Sequence, residues 1–191
     1  MKIELKKWEL LSSEYVFSTK WFKIRKDKVR LPNGKIYTDY YVKERNDWAL
    51  IFCLTEENQL ILLRTYKHGS RSFIYECPSG SIEPGEDPED AIIRELKEET
   101  GFSVERSNLF KLGSIPVDPV YVQAHLHIFV GIKAKKKYPK DNNPLEISEI
   151  HFLAANEIMN FIRDNLGSFP ESQIAGIFLA LDFLQRKNWN D

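Results

Sequence analysis

The chain has 191 residues, 42% of them hydrophobic and 29% charged, with a formal net charge of −1. This is the balance of an ordinary globular protein, and it excludes a disordered or fibrous chain. It also gives no global attraction to nucleic acid or to an anionic membrane, so an anionic ligand must be held by local positive charge or by a metal. The length suits one main domain with a small appended element. Cys53 and Cys77 lie in apolar, strand-like segments. They read as buried thiols in a reducing compartment rather than a disulfide framework. The opening residues, Met1-Lys2-Ile3-Glu4-Leu5-Lys6-Lys7, lack the apolar stretch of a secretion signal. No apolar run approaches the roughly 18 residues of a membrane span, so a cytoplasmic protein without membrane contact is expected.

Taken in chain order, residues 8–45 read as short strands with turns. Residues 21–31 partly alternate apolar with charged side chains, Pro32-Asn33-Gly34-Lys35 is a hairpin turn, and residues 36–42 return with Tyr37, Tyr40 and Tyr41. Two apolar strands follow, residues 49–54 and 59–64, around a Glu56-Glu57-Asn58 turn, then a short strand over residues 72–77. A helix follows, described below. Residues 110–117 and 124–134 read as further strands. In the second, Leu126, Ile128 and Val130 alternate with His125, His127 and Phe129. The two histidines lack a third zinc ligand at a recognisable spacing and read as strand residues. Residues 133–143 read as a loop carrying the solvated run Lys135-Lys136-Lys137. Residues 156–166 and 172–187 read as helices, the last with Ile174, Ile177, Phe178, Leu181 and Leu184 toward a core.

The chemistry concentrates between Gly80 and Phe102. Asp87 suits an N-cap, Pro88 the first helical position, Asp90 a capping-box-like return, and Gly101 a left-handed C-terminal cap. Within that helix Arg94-Glu95-Leu96-Lys97-Glu98-Glu99 places three carboxylates on one stripe. With Glu95 at zero, Glu99 lies about 40° to one side and Glu98 about 60° to the other. Ile92, Ile93 and Leu96 fall on the flank that can face a core. Like charges at these spacings repel. A hard divalent cation offsets that repulsion best, and Mg²⁺ is the cation shared between carboxylates and substrate phosphates.

This stretch resembles the Nudix box, G-x5-E-x7-R-E-U-x-E-E-x-G-U with U a bulky apolar residue. Gly80, Glu86, Arg94, Glu95, Leu96, Glu98, Glu99, Gly101 and Phe102 fill its specified positions, Phe102 being aromatic where an aliphatic is commoner. The resemblance implies a Nudix fold, an α/β/α sandwich around a mixed sheet, in the α/β (α+β) class. It also implies hydrolysis of a nucleoside diphosphate linked to another group. A second resemblance, to pyrophosphatases of ADP-ribose and other nucleoside diphosphate sugars, rests on Ile61-Leu62-Leu63-Arg64-Thr65-Tyr66-Lys67, Glu76-Cys77-Pro78-Ser79-Gly80, and Pro116 about fifteen residues past the box. This chain departs from that pattern at Thr65 and Lys67, and at Val117-Asp118-Pro119, where Ser-Pro-Gly is common.

The resemblance implies roles residue by residue. Glu95, Glu98 and Glu99 would hold Mg²⁺ (or Mn²⁺ in its place), with the Ser79 carbonyl completing the site. Arg94 would orient these carboxylates and Glu86 would fix the loop to the helix, while Gly80 allows an unusual backbone. Lys67 would meet a phosphate or terminal sugar, Glu76 a ribose or base, Arg45 the substrate, and Trp21 or Phe22 the nucleobase. Glu146, or else Glu149, would be a general base, placed a few positions before Ile150. Residues 1–45 would form an N-terminal antiparallel β region that packs between the subunits of a homodimer, and residues 46–191 the Nudix domain. The expected activity is Mg²⁺-dependent cleavage of ADP-ribose or a related nucleoside diphosphate sugar. Two rivals are another nucleoside diphosphate derivative as substrate, such as a dinucleoside polyphosphate or nucleotide cofactor, and a catalytically silent nucleotide sensor.

Overall fold

The structure is a computed structural model, and it describes residues 5–141 and 147–187. Its chain divides into two compact units. One comprises the residues up to Asn46 with Pro116–His125; the other comprises Asp47–Ile115 and the chain from Leu126 on. The segment Pro116–His125, which chain order alone assigns to the second region, therefore clusters with the first.

The first unit is a sheet of β1 (Glu9–Ser18), β2 (Lys23–Arg30) and β3 (Ile36–Glu44), antiparallel in that order. The short β10 (Val122–Gln123) adds to β3 in parallel. The β2–β3 turn is the expected one. Gly34 takes φ 82°, open to glycine without penalty, and the Asn33 side chain accepts from the Lys35 N–H at 3.0 Å. Asp27 is buried here, and Ser13 Oγ (2.6 Å) and Arg25 Nε (3.0 Å) both donate to it. Arg25 also binds Glu44 and, at 2.5 Å, Gln123. Burial of that carboxylate is tolerable because it is paired and hydrogen-bonded.

The second unit is built on a mixed sheet of order β12-β5-β4-β11-β8. Its strands are β4 (Trp48–Thr55), β5 (Gln59–Lys67), β8 (Phe102–Ser103), β11 (His125–Lys136) and β12 (Ser148–Ala154). β6 (Ser72–Glu76) pairs with β5, β7 (Ser79–Ser81) with β4, and β9 (Leu109–Pro116) with β11. β4 and β11 run parallel at the centre, so both are buried on two faces and read as continuous apolar runs. Side chains that alternate between the two faces of β11 therefore both meet a core: Ile128, Phe129, Val130 and Ile132 are all buried.

Helices cover both faces. On one, α1 (Pro88–Thr100) lays Ala91, Ile92 and Leu96 against Ala49, Ile51, Cys53 and Phe129. On the other, α3 (Glu171–Arg186) approaches β4 so closely that a Cβ on Gly176 would stand 2.9 Å from Leu50 Cδ2. The α/β/α sandwich follows. α2 (Ile158–Asp164) is shorter than the expected 156–166, because a 3-10 turn occupies Ala155–Glu157. β11 runs to Lys136, so the loop expected from residue 133 begins later; Lys133, at φ 56°, marks an irregularity within the strand. Phe178, expected in the core, is half exposed.

Candidate active site

The site grows from the way α1 begins and ends. Asp87 accepts the Glu89 N–H at 2.8 Å, Pro88 follows it, and Gly101 closes the helix at φ 76° with its N–H on the Lys97 carbonyl. Asp90 does not form a capping box. It pairs with Arg106, whose NH1 also lies 3.3 Å from Glu89. Beyond Gly101 the chain folds back on the helix terminus. The amides of Lys137 and Tyr138 donate to Gly101 O, and the Asp141 N–H donates to Glu98 O at 2.9 Å. These bonds satisfy carbonyls that a helix end leaves open.

Arg94 is the hub of the polar side of α1. It forks onto Glu86, Nε to Oε1 and NH2 to Oε2, both at 2.9 Å. Its NH1 donates to Glu95 (2.8 Å) and Glu98 (3.3 Å), and its NH2 to the Ser81 carbonyl (3.0 Å). Glu86 also accepts the Glu83 N–H at 2.9 Å, so it joins loop to helix as expected. Hydrogen bonding to Arg94 holds the Glu86 carboxyl below the usual range, and the same bond raises the guanidinium above its own.

Glu99 differs. Its carboxyl is partly buried and accepts the Ser79 N–H at 2.9 Å. Burial pushes its pKa well above the usual value, the Ser79 amide opposes that shift, and the charges of Glu76 and Glu95 add to it. Lys67 works against the rise, and Lys140 is likewise attracted to Glu99. β7 sets this geometry: Ser79 lies opposite Leu50 and Gly80 opposite Ala49. Gly80 is needed for space rather than for an unusual φ, since a Cβ there would overlap the Glu95 carboxyl. Lys67 and Glu76, both expected to touch substrate, are paired at 2.6 Å on β5 and β6. Glu76 is buried and Lys67 half exposed. The structure thus gathers Lys67, Glu76, Ser79, Gly80, Glu86, Arg94, Glu95, Glu98 and Glu99 along the polar side of α1.

The other expected residues are Trp21, Phe22, Arg45, Glu146 and Glu149. Trp21 and Arg45 belong to the first unit, where they line a hollow of about 310 Å³ with Thr19, Lys20, Phe22, Glu44, Asn46 and Gln123. Trp21 is 71% exposed and stacked under Lys20, whereas Phe22 packs on Phe17. Glu146 lies outside the described residues. Glu149 pairs with Arg64 at 3.4 Å, and Arg64 alternates along β5 with Thr65 and Lys67. Glu149 therefore sits on the face of β5 away from Lys67. Sequence reasoning missed Lys140, whose Nζ donates to Ser148 O (2.7 Å) and Oγ (2.5 Å); nothing distinguishes it from the lysines before it.

The NUDIX domain model matches residues 44–172, and the nucleoside diphosphate sugar hydrolase N-terminal domain model matches residues 8–42. The chain belongs to the Nudix family. It is 30% identical over 176 residues to the methanol dehydrogenase activator of Bacillus methanolicus, covering 90% of this chain and 91% of that one. It is 28% identical over 144 residues to an ADP-ribose pyrophosphatase of Bacillus subtilis (73% and 76%). It is 26% identical over 189 residues to the ADP compounds hydrolase NudE of Escherichia coli (97% and 97%). A crystal structure of an ADP compounds hydrolase superposes with a TM-score of 0.83 at 24% identity, over 97% of this chain and 98% of that one, and shows the same fold.

Nudix pyrophosphatases use divalent metals, and the donors fit one. They are hard carboxylate oxygens, and desolvation with the charges of Glu76 and Glu95 raises the pKa of Glu99, a shift that a bound cation would oppose. As the side chains stand, no three acidic, histidine or cysteine groups among the described residues converge on one point. Glu95 and Glu98 are turned toward Arg94. For these two to hold a cation, their side chains would have to rotate. Among the described residues, no helix is long and apolar enough to cross a membrane.

Proposed function

We propose that this Nudix hydrolase cleaves the pyrophosphate of ADP-ribose, or of a related nucleoside diphosphate sugar, to a nucleoside monophosphate and a sugar phosphate, with Mg²⁺ as its cation. The observation that carries this reading is the partly buried Glu99 held by the Ser79 amide beside Glu95, with the Lys67–Glu76 pair next to them. The two family models and the named relatives support it. When bound, the cation neutralises phosphoryl oxygens and activates water. Glu95, Glu98 and Glu99 would hold it, with the Ser79 carbonyl as a further ligand. Arg94 positions Glu95 and Glu98 by charge-assisted hydrogen bonds. Lys67 offers its ammonium to a phosphate when Glu76 turns to a ribose hydroxyl. Trp21 supplies a stacking face and Arg45 a cation for the nucleoside end.

Residues 1–45 act as the dimerisation region and residues 46–191 as the catalytic domain. Trp8, Leu10, Tyr15, Val16 and Phe17 are all about half exposed along β1 and the approach to it, an apolar surface larger than a single covering sheet needs. A cytoplasmic homodimer is the expected form; a 22.4 kDa species by light scattering at micromolar concentration removes it.

The test is a substrate panel in Mg²⁺, including ADP-ribose, other nucleoside diphosphate sugars, dinucleoside polyphosphates and nucleotide cofactors. AMP and ribose 5-phosphate from ADP-ribose are expected. Release of ADP or free phosphate first excludes the reaction, and binding without turnover identifies a sensor.

A further inference from the structure

Gln173 is a buried polar residue, 4% exposed, on the first turn of α3, a helix whose other inward residues are apolar or small. Its Oε1 accepts the backbone N–H of Cys77 at 2.8 Å, across 96 positions of sequence. Cys77 opens the stretch that leads into β7, and each polar backbone group used along that stretch is held by a different element. The Cys77 N–H goes to α3, the Pro78 carbonyl accepts from Ile51 of β4 at 3.0 Å, and the Ser79 N–H goes to Glu99 of α1 at 2.9 Å. Pro78 has no N–H to give. The position of the Ser79 amide is therefore fixed by bonds on the residues just before it.

The closeness of α3 makes this bond possible. Gly176, one turn beyond Gln173, lets the helix settle on Leu50, and Leu50 is the register partner of Ser79. A packing residue at position 173 would fill the same space without an acceptor. It would leave the Cys77 amide buried and unpaired, and such a group costs more than the bond itself contributes.

We propose that Gln173 is a positioning residue for the reaction: through Cys77 it sets the Ser79 peptide that receives the Glu99 carboxylate, and so adjusts the cation site from the opposite face of the sheet. The proposal rests on the reading of Glu99 as a cation ligand. It is independent of which nucleotide is cleaved.

The experiment compares the full chain with Gln173→Met, which has similar length and no acceptor oxygen, and Gln173→Glu, which keeps an oxygen at the same reach. Mn²⁺ binding without substrate is read by electron paramagnetic resonance, and kcat and KM are read on ADP-ribose. Gln173→Met should weaken Mn²⁺ several-fold and lower kcat by about tenfold to a hundredfold with KM little changed, the scale of a small displacement of a catalytic group. Gln173→Glu should restore both values to within about threefold of the parent, because its carboxylate accepts from the same amide. If Gln173→Met proves too unstable, Gln173→Asn, whose acceptor falls one methylene short, takes its place with the same expected direction. A variant with a lowered melting temperature but parental Mn²⁺ affinity and kcat overturns the proposal, as does failure of Gln173→Glu to restore either. If the parent binds Mn²⁺ and cleaves no ADP-ribose, the substrate reading fails while the Mn²⁺ comparison still decides the role of Gln173.

Discussion

The two units treat charge and apolar surface in opposite ways. In the N-terminal sheet the buried Asp27 is closed off by Ser13 and Arg25, and Arg25 is closed in turn by Glu44 and Gln123. Its charge is settled internally, and its aromatic side chains are left outward: Tyr15, Phe17, Trp21, Tyr37 and Tyr41 are each between 45% and 71% exposed. The Nudix unit does the reverse. It buries the aliphatic residues of β4, β5 and β11 almost completely, while Tyr66 on β5 is half exposed. It then crowds Glu76, Glu95, Glu98 and Glu99 along the polar side of α1, with Arg94, Lys67 and Lys140 as counter-charges. One unit therefore concentrates exposed aromatic surface, and the other concentrates carboxylates. Damage to the first should show in association and substrate binding, and damage to the second in turnover.

The sharpest test of that division is Glu99→Gln. It should reduce kcat by about 10²- to 10³-fold, the scale of losing one strong electrostatic contact to a transition state. The sign on stability should be opposite. Glu99 has its folded-state pKa raised, so above its unfolded value the carboxylate form costs stability. At neutral pH without metal the amide relieves that cost, and the melting temperature should hold or rise. A near-parental kcat at saturating Mg²⁺ would release Glu99 from the site. Next comes Gly80→Ala. The added methyl meets the Glu95 carboxyl, so Glu95 must move, and kcat should fall by about a hundredfold, as for a displaced catalytic group. Restored activity in the double variant with Glu95→Ala would contradict this, because the proposed site includes Glu95 itself.

Trp21→Ala belongs to the other side of the comparison. KM for ADP-ribose should rise about tenfold with kcat nearly unchanged, since stacking on a base is worth roughly 1–3 kcal/mol. A loss confined to kcat would place Trp21 in the chemistry and blur the distinction between the units. The smallest effect concerns the thiols. Burial raises both Cys53 and Cys77 far above their ordinary range, and for Cys77 the neighbouring Cys53 and Glu76 add to the rise. Both are free and buried, so a disulfide reagent at pH 8 should label neither in the native protein and both after denaturation. Rapid native labelling would show that the strand and loop carrying them open far more readily than their burial implies.

Much of the site is legible in the sequence because its residues lie close together along one helix and one loop. The spacing of Arg94, Glu95, Glu98 and Glu99 needs only helical geometry to become a single polar stripe, and Asp87, Pro88 and Gly101 mark where that helix starts and stops. Alternation and turn residues likewise mark most strands, since those signals are local. What the sequence leaves open depends on distant segments meeting. The chain order of Lys67 and Glu76 does not say that they pair; the β5–β6 register does. Gln173 looks like one polar position on an apolar helix until the sheet brings it to Cys77. Phe178 has the spacing of a core residue yet stays half exposed, because the width of a helix's buried stripe is set by what it packs on. Glu99 is the clearest case: its residue type and place in the box come from the sequence, but its partial burial and its partner, the Ser79 amide, exist only once β7 has paired with β4 beside α1.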